Sequence, residues 1–255
     1  MRKLWILGFA STLLVLASVG ARASVIADWN AVPAGTLAKQ AHTGLYSTGR
    51  DFSDVIITVS GSNGATPFRF GPAGLQTPAV TDTIFSGGQL GKDLSTVALF
   101  KPTGLGTVTF TIDFFVAKGV KDVSFTLFDV DMNTHGSVNV ADVVSFKTAG
   151  LTLTGSKDNV VSGNTVTGLK TSSNAGPGSA DGNVSVKSGS TPLHQIRFTF
   201  GTLPTDIGAL AGIGISNISF TPVAEVGQLA IGLAACLIGA VWLWRNRRER
   251  GPSIA

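Results

Sequence analysis

The sequence predicts an all-β fold, an antiparallel β-sandwich of jelly-roll or immunoglobulin-like type, followed by one C-terminal transmembrane helix. Three observations predict it. Between the two ends of the chain, short segments alternate apolar and polar residues with the period of two that marks a half-buried strand. Turn-forming residues punctuate these segments, and no part of the body sustains a 3.6-residue period for three turns. Near the C-terminus, 226–244 contains no Lys, Arg, Asp or Glu.

In chain order, the first element is a leader. Arg2 and Lys3 precede the apolar run LWILGFASTLLVLASVG, and Ala21 and Ala23 place small residues at the two positions a signal peptidase reads. Residues 1–23 therefore read as a signal peptide; an uncleaved anchor is the alternative, because the apolar run is long enough to remain in a membrane.

Residues 24–221 read as one extracytoplasmic sandwich domain. In TVTFTIDFF, Val108, Phe110, Ile112 and Phe114 share one face, and Thr107, Thr109, Thr111 and Asp113 share the other. DVSFTLFDV and HQIRFTF repeat that alternation, and further strand candidates lie at 54–60, 141–148, 164–170, 182–188 and 215–220. SGSNG, KPTGLG, AKGVKD and SNAGPGSADG read as connections, and the glycines of GLGTVTF and GIGIS as turn glycines. Many short strands with no helices to cover a parallel sheet favour two antiparallel sheets packed face to face.

The charge of +4 belongs to the ends. Twelve Lys and Arg against fourteen Asp and Glu leave 24–225 at a net −2. No basic cluster in the body interleaves with aromatics, so nucleic acid is excluded as a partner. The single cysteine, Cys236, lies in the apolar run near the C-terminus. An exported body without cysteine has no disulfides and depends on its core.

The last element, 222–255, reads as a sorting signal. A helix over 226–244 would be about 28 Å long, close to the thickness of a hydrocarbon core. Trp242 and Trp244 stand at the interfacial level, and Arg245, Arg247, Arg248 and Arg250 follow as a cytoplasmic cluster. This layout resembles the PEP-CTERM family of exported bacterial proteins, as do the paired segments VSFTLFDVD and ADVVSFKTAG and the stretch IRFTF to ISNISF before the tail. The resemblance implies a tripartite signal made of Pro222 and Glu225, the apolar helix and the arginines, processed by an exosortase-like membrane protease. The family's tail opens with Pro-Glu-Pro, whereas this one opens TPVAEVG. Two outcomes follow: a variant signal read by a dedicated enzyme, or a helix retained as an anchor.

The densest polar cluster is FDVDMNTHGSVNVAD. Counted from Asp131, oxygen-bearing or loop-closing residues fall at positions 1, 3 (Asn133), 6 (Gly136), 9 (Asn139) and 12 (Asp142), the spacing of a twelve-residue calcium loop and similar to that of dockerin modules. His135 at position 5 is a poor ligand for a hard cation, and the following ADVVSFKT reads as a strand rather than a helix. A looser Ca²⁺ site across a hairpin, formed by Asp129, Asp131, Asn133 and Asp142, stands beside the alternative of a solvated turn. Catalytic patterns are sparse. His42, His135 and His194 share no metal-ligand spacing, and no GxSxG elbow or GxxxxGK[ST] loop occurs. Asp131 and His135 form the one acid–histidine pair close in sequence. The expected function is that of a non-catalytic surface or extracellular-matrix protein. Its expected partners are the membrane, an exosortase-like protease and extracellular polysaccharide. A Ca²⁺-dependent carbohydrate-binding module and an envelope hydrolase are the alternatives.

Overall fold

The computed structural model describes residues 24–31, 39–40, 55–62, 65–67, 69–70, 75–76, 79–82, 91–100, 106–135, 138–169, 179–203, 209–224, 236–242 and 245. The chain divides into two compact units, Ser24–Thr221 and a second comprising Met1–Ala23 with Pro222–Ala255. Of the second unit, 236–242 and Arg245 are helical. Among the described residues no helix is long and apolar enough to cross a membrane. The expected span 226–244 lies largely outside the described residues, as do the leader, Glu225, Arg247, Arg248 and Arg250.

Within the first unit the strands are β1 (Val25–Ala27), β2 (Lys39–Gln40), β3 (Val55–Ser62), β4 (Ala65–Pro67), β5 (Arg69–Phe70), β6 (Leu75–Gln76), β7 (Ala79–Asp82), β8 (Lys92–Phe100) and β9 (Thr107–Phe114). They continue with β10 (Val120–Phe128), β11 (Met132–His135), β12 (Val138–Phe146), β13 (Leu151–Gly155), β14 (Asn159–Ser162) and β15 (Thr165–Gly168). The last are β16 (Val184–Ser188), β17 (Gln195–Leu203), β18 (Ala209–Ile215) and β19 (Ile218–Pro222).

Two sheets form the sandwich. The first runs β1-β19-β10-β18-β8-β4, with β16 joining β10 to β13 and β7 flanking β8. The second runs β14-β15-β12-β17-β9-β3-β2, with β11 on β12. Pairing is antiparallel apart from β2 on β3. From β8 to β18 the chain passes repeatedly between the sheets. The result is two central four-strand sets, β8-β18-β10-β16 and β9-β17-β12-β15.

Alternation explains the strands that were legible in sequence. In β9 the residues Val108, Phe110, Ile112 and Phe114 are buried while the intervening ones are partly exposed. The registers Phe110↔Phe198 and Phe146↔Phe198 align three rings on the inner face of the second sheet. Phe110 and Phe198 stack with centroids 4.7 Å apart, and Phe146 lies 5.1 Å from Phe198. Across the interior, Phe100 of the first sheet meets Phe200 of the second edge-on at 5.5 Å, and Phe114 meets Phe220 at 5.3 Å. Such aromatic pairs contribute about 0.5–1.5 kcal/mol beyond their area burial. Trp29 closes the N-terminal side of the core. Its indole Nε1–H donates to the Ser216 carbonyl at 2.8 Å, which satisfies the one polar atom that burial would otherwise strand.

One sequence expectation needs correction. The glycines Gly212 and Gly214 of GIGIS are not turn glycines; they lie in β18, paired with β8. β8 and β18 themselves lack alternation because both faces are covered, with Asp93–Ala98 and Ala211–Ile215 buried throughout. A strand covered on both sides reads as a continuous run rather than a period of two.

Candidate functional site

The chain leaves the first sheet after Phe128 and enters the second at Met132. Asp129, Val130 and Asp131 make that crossing. Asp129 has φ of 64°, a left-handed conformation that Asp tolerates better than most L-residues. Partners on both sides hold the crossing: the Val130 N–H donates to the Gly182 carbonyl at 2.9 Å, and the Val130 carbonyl receives Asn159 Nδ2 at 3.4 Å. Gly168 passes so close to Asp131 that an added Cβ would overlap the Asp131 carbonyl, so only glycine fits there.

The twelve-residue spacing between Asp131 and Asp142 has a different cause from a calcium loop. β11 and β12 form a hairpin with Met132 opposite Ala141 and Asn133 opposite Val140. Asp131 and Asp142 therefore face each other at its base. The Asp142 N–H donates to the Asp131 carbonyl at 2.8 Å, while the Asp131 N–H points to Asp142 Oδ2 at 3.5 Å. Asn139, at the expected ninth position, instead accepts the Thr134 hydroxyl at 3.1 Å across the hairpin. Of the residues in the loop-like pattern, Asn133, Asn139 and Asp142 are thus strand residues.

Register also aims Asp142 inward. Val144 and Phe146, two and four residues on, belong to the core, so Asp142 shares their face, opposite Thr202 of β17. Asp131 and Asp142 are 1% and 2% exposed. Asp93 of β8 is equally buried and shares a hydrogen bond with Ser95. Burial first, then the charges of Asp131 and Asp93, push the Asp129 carboxyl up to about 8. Burial, followed by the charges of Asp129 and Asp131, holds Asp142 well above the usual carboxylate range; a hydrogen bond from the Asp131 backbone opposes this only in part. A low dielectric sets this direction, since it penalises each bare negative charge and amplifies the repulsion among neighbours.

Of the residues singled out in sequence, Asp129, Asp131 and Asp142 come together, and Asn133 joins them by donating Nδ2–H to Asp131 Oδ1 at 3.2 Å. Asn133 therefore presents its amide nitrogen, not its oxygen, to that carboxylate. The side chain of His135 lies outside the described residues, and so does His42. His194 is exposed beyond the edge of β17. Pro222 ends β19 and is buried; Arg245 is exposed. Asp93 was invisible to sequence reasoning. It lies 36 residues before Asp129 in a segment without alternation, and only strand pairing brings the two carboxylates into mutual influence.

Chemically, the cluster offers hard oxygen donors and protons that leave only at unusually high pH. Among the described residues no three His, Cys, Asp or Glu side chains are arranged to hold a metal ion as they stand. Nearby, Asp158 is 2% exposed and its Oδ1 has no hydrogen-bond partner. No protein-family model matches the chain, and neither does any curated protein.

Proposed function

We propose that this chain is a non-catalytic exported protein of the cell surface or extracellular matrix, a jelly-roll sandwich sorted by a C-terminal PEP-CTERM-like signal. The observation that carries the reading is the uncharged run 226–244 ending in four arginines, at the opposite end of the chain from a leader with a small-x-small site. The strand orders β8-β18-β10-β16 and β9-β17-β12-β15, reached by repeated crossing between sheets, support a jelly roll over an immunoglobulin-like sandwich. A sandwich alone does not imply a function. The assignment therefore rests on the two ends. Mass spectrometry of the native termini should find Ser24 first, and a reporter fused after Ala255 should be cytoplasmic in the unprocessed chain. A periplasmic reporter, or an intact leader on a cytosolic protein, refutes the reading.

The clustered aspartates favour a second reading, a Ca²⁺-dependent carbohydrate-binding module. Asp129, Asp131 and Asp142 are the residues that would hold the ion, and their carboxylates are the hard oxygen donors it prefers. Among the described residues no three acidic side chains are grouped around one point, so binding would draw the three carboxylates closer together. The ion would displace the proton that Asp129 otherwise holds at neutral pH. Millimolar Ca²⁺ is therefore expected to raise the melting temperature more at pH 8 than at pH 5, and Asp131→Ala to remove the rise. An unchanged melting temperature at both pH values discards this reading.

A further inference from the structure

The outward face of the second sheet carries a feature that neither the tail nor the aspartates require. Its registers are Ser60↔Thr109, Thr109↔Thr199, Thr199↔Ser145, Ser145↔Thr165 and Thr165↔Ser162. Six strands thus contribute one hydroxyl residue each to a single row across the sheet. At about 4.8 Å per strand the row is roughly 24 Å long. None of the six is fully buried. Ser145 and Thr165 hydrogen-bond to each other at 3.1 Å, whereas the hydroxyls of Ser60, Thr109 and Ser162 have no protein partner among the described residues.

Two further features border this row. On one side β17 has no side chain at Gly201, which leaves a depression of about 160 Å³ walled by Gly106, Val143 and Leu203. On the other side are two exposed cations. Arg197 lies two residues before Thr199, and Lys147 continues the register of β12 beside it, its N–H donating to the Arg197 carbonyl at 2.8 Å. Both are exposed, and among the described residues neither has a carboxylate within ion-pair distance. The remaining described charge of the face, Asp113, is engaged by Gln195 Nε2 at 2.7 Å. A pair of adjacent unneutralised cations on a domain of net negative charge is a local exception, and it selects an anionic partner.

We propose that this face docks an extended acidic polysaccharide. The chain would lie across the strands with its hydroxyls against the Ser/Thr row, one sugar edge in the Gly201 depression and its carboxylates toward Arg197 and Lys147. A polyhydroxyl chain matches donors and acceptors repeated at strand spacing, and its uronate groups match the cations. The row carries no aromatic side chain, the kind of anchor on which a folded protein partner commonly depends. The inference rests on the exported, matrix-facing reading above, but its test is separate.

The test uses the full-length chain in a sugar-free detergent. Polygalacturonate is the acidic probe and dextran the neutral one, with binding followed by affinity electrophoresis and calorimetry. Polygalacturonate should bind, with an affinity that falls as salt rises, and dextran should bind far more weakly. Lys147→Ala with Arg197→Ala should weaken polygalacturonate binding about tenfold at low salt. Thr109→Val with Thr199→Val keeps side-chain shape and strand preference while deleting two hydroxyls, and should weaken binding at high salt as well. Equal binding of the two polymers, binding of neither, or undiminished affinity in both double variants overturns the proposal. If the termini show that the chain is not exported, the reading above fails while the polymer result stands on its own.

Discussion

Replacing Asp142 with Asn should raise the melting temperature at pH 8 in chelator-containing buffer and flatten the dependence of stability on pH. In the folded protein Asp142 is buried between the sheets beside Asp129 and Asp131, and its carboxyl titrates well above its ordinary 3.8. Asp129 is pushed up to about 8. Between those limits the folded state holds protons that the unfolded state has released. The stability these groups permit is complete below about pH 4 and declines as pH rises toward the folded values. For Asp129 the decline should level off near pH 8. Each such carboxyl contributes a slope of about 1.4 kcal/mol per pH unit, opposite in sign to ordinary acid denaturation. An Asn side chain keeps the shape, cannot ionise, and removes one contribution to the slope. Denaturant melts from pH 4 to 9 on both proteins provide the check. A wild-type stability that climbs across this range would show that the carboxylates are ionised and compensated in the fold.

Phe198→Ala is expected to be the most damaging single truncation in the core, costing about 3–5 kcal/mol. Phe198 stacks on Phe110 at 4.7 Å and touches Phe146 at 5.1 Å, so one ring joins three adjacent strands of the second sheet. It is fully buried, and its neighbours are held by backbone pairing on both sides, which limits collapse into the cavity. For a domain of this size the loss corresponds to a fall in melting temperature of about 6–20 °C. A drop of only a degree or two would mean that the stacked trio is dispensable. Phe115, exposed at 59%, is the matched control, and its truncation should change stability little.

Much of this architecture was legible because it is local. The alternation in β9, β10 and β17 reports one buried and one wet face, and a period of two survives in any window of six residues. β8 and β18 escaped because they sit between other strands with both faces covered, which erases the pattern and makes Gly212 and Gly214 resemble turn residues. The candidate site was half legible. The Asp129–Asp142 segment stood out by composition, but its twelve-residue spacing came from hairpin register rather than from a loop folded around an ion.

By itself the sequence determined the all-β class, the inward faces of the alternating strands, the absence of disulfides from the body and the charge distribution. Each follows from residue chemistry within a short window or from a count. Tertiary structure alone decided that Asp93 influences Asp129, that Asp142 points into the core opposite Thr202, and that six hydroxyl residues from six strands fall into one row. Those facts depend on strand order and register. The energy that sets them comes from contacts between residues far apart in the chain, which no local pattern records.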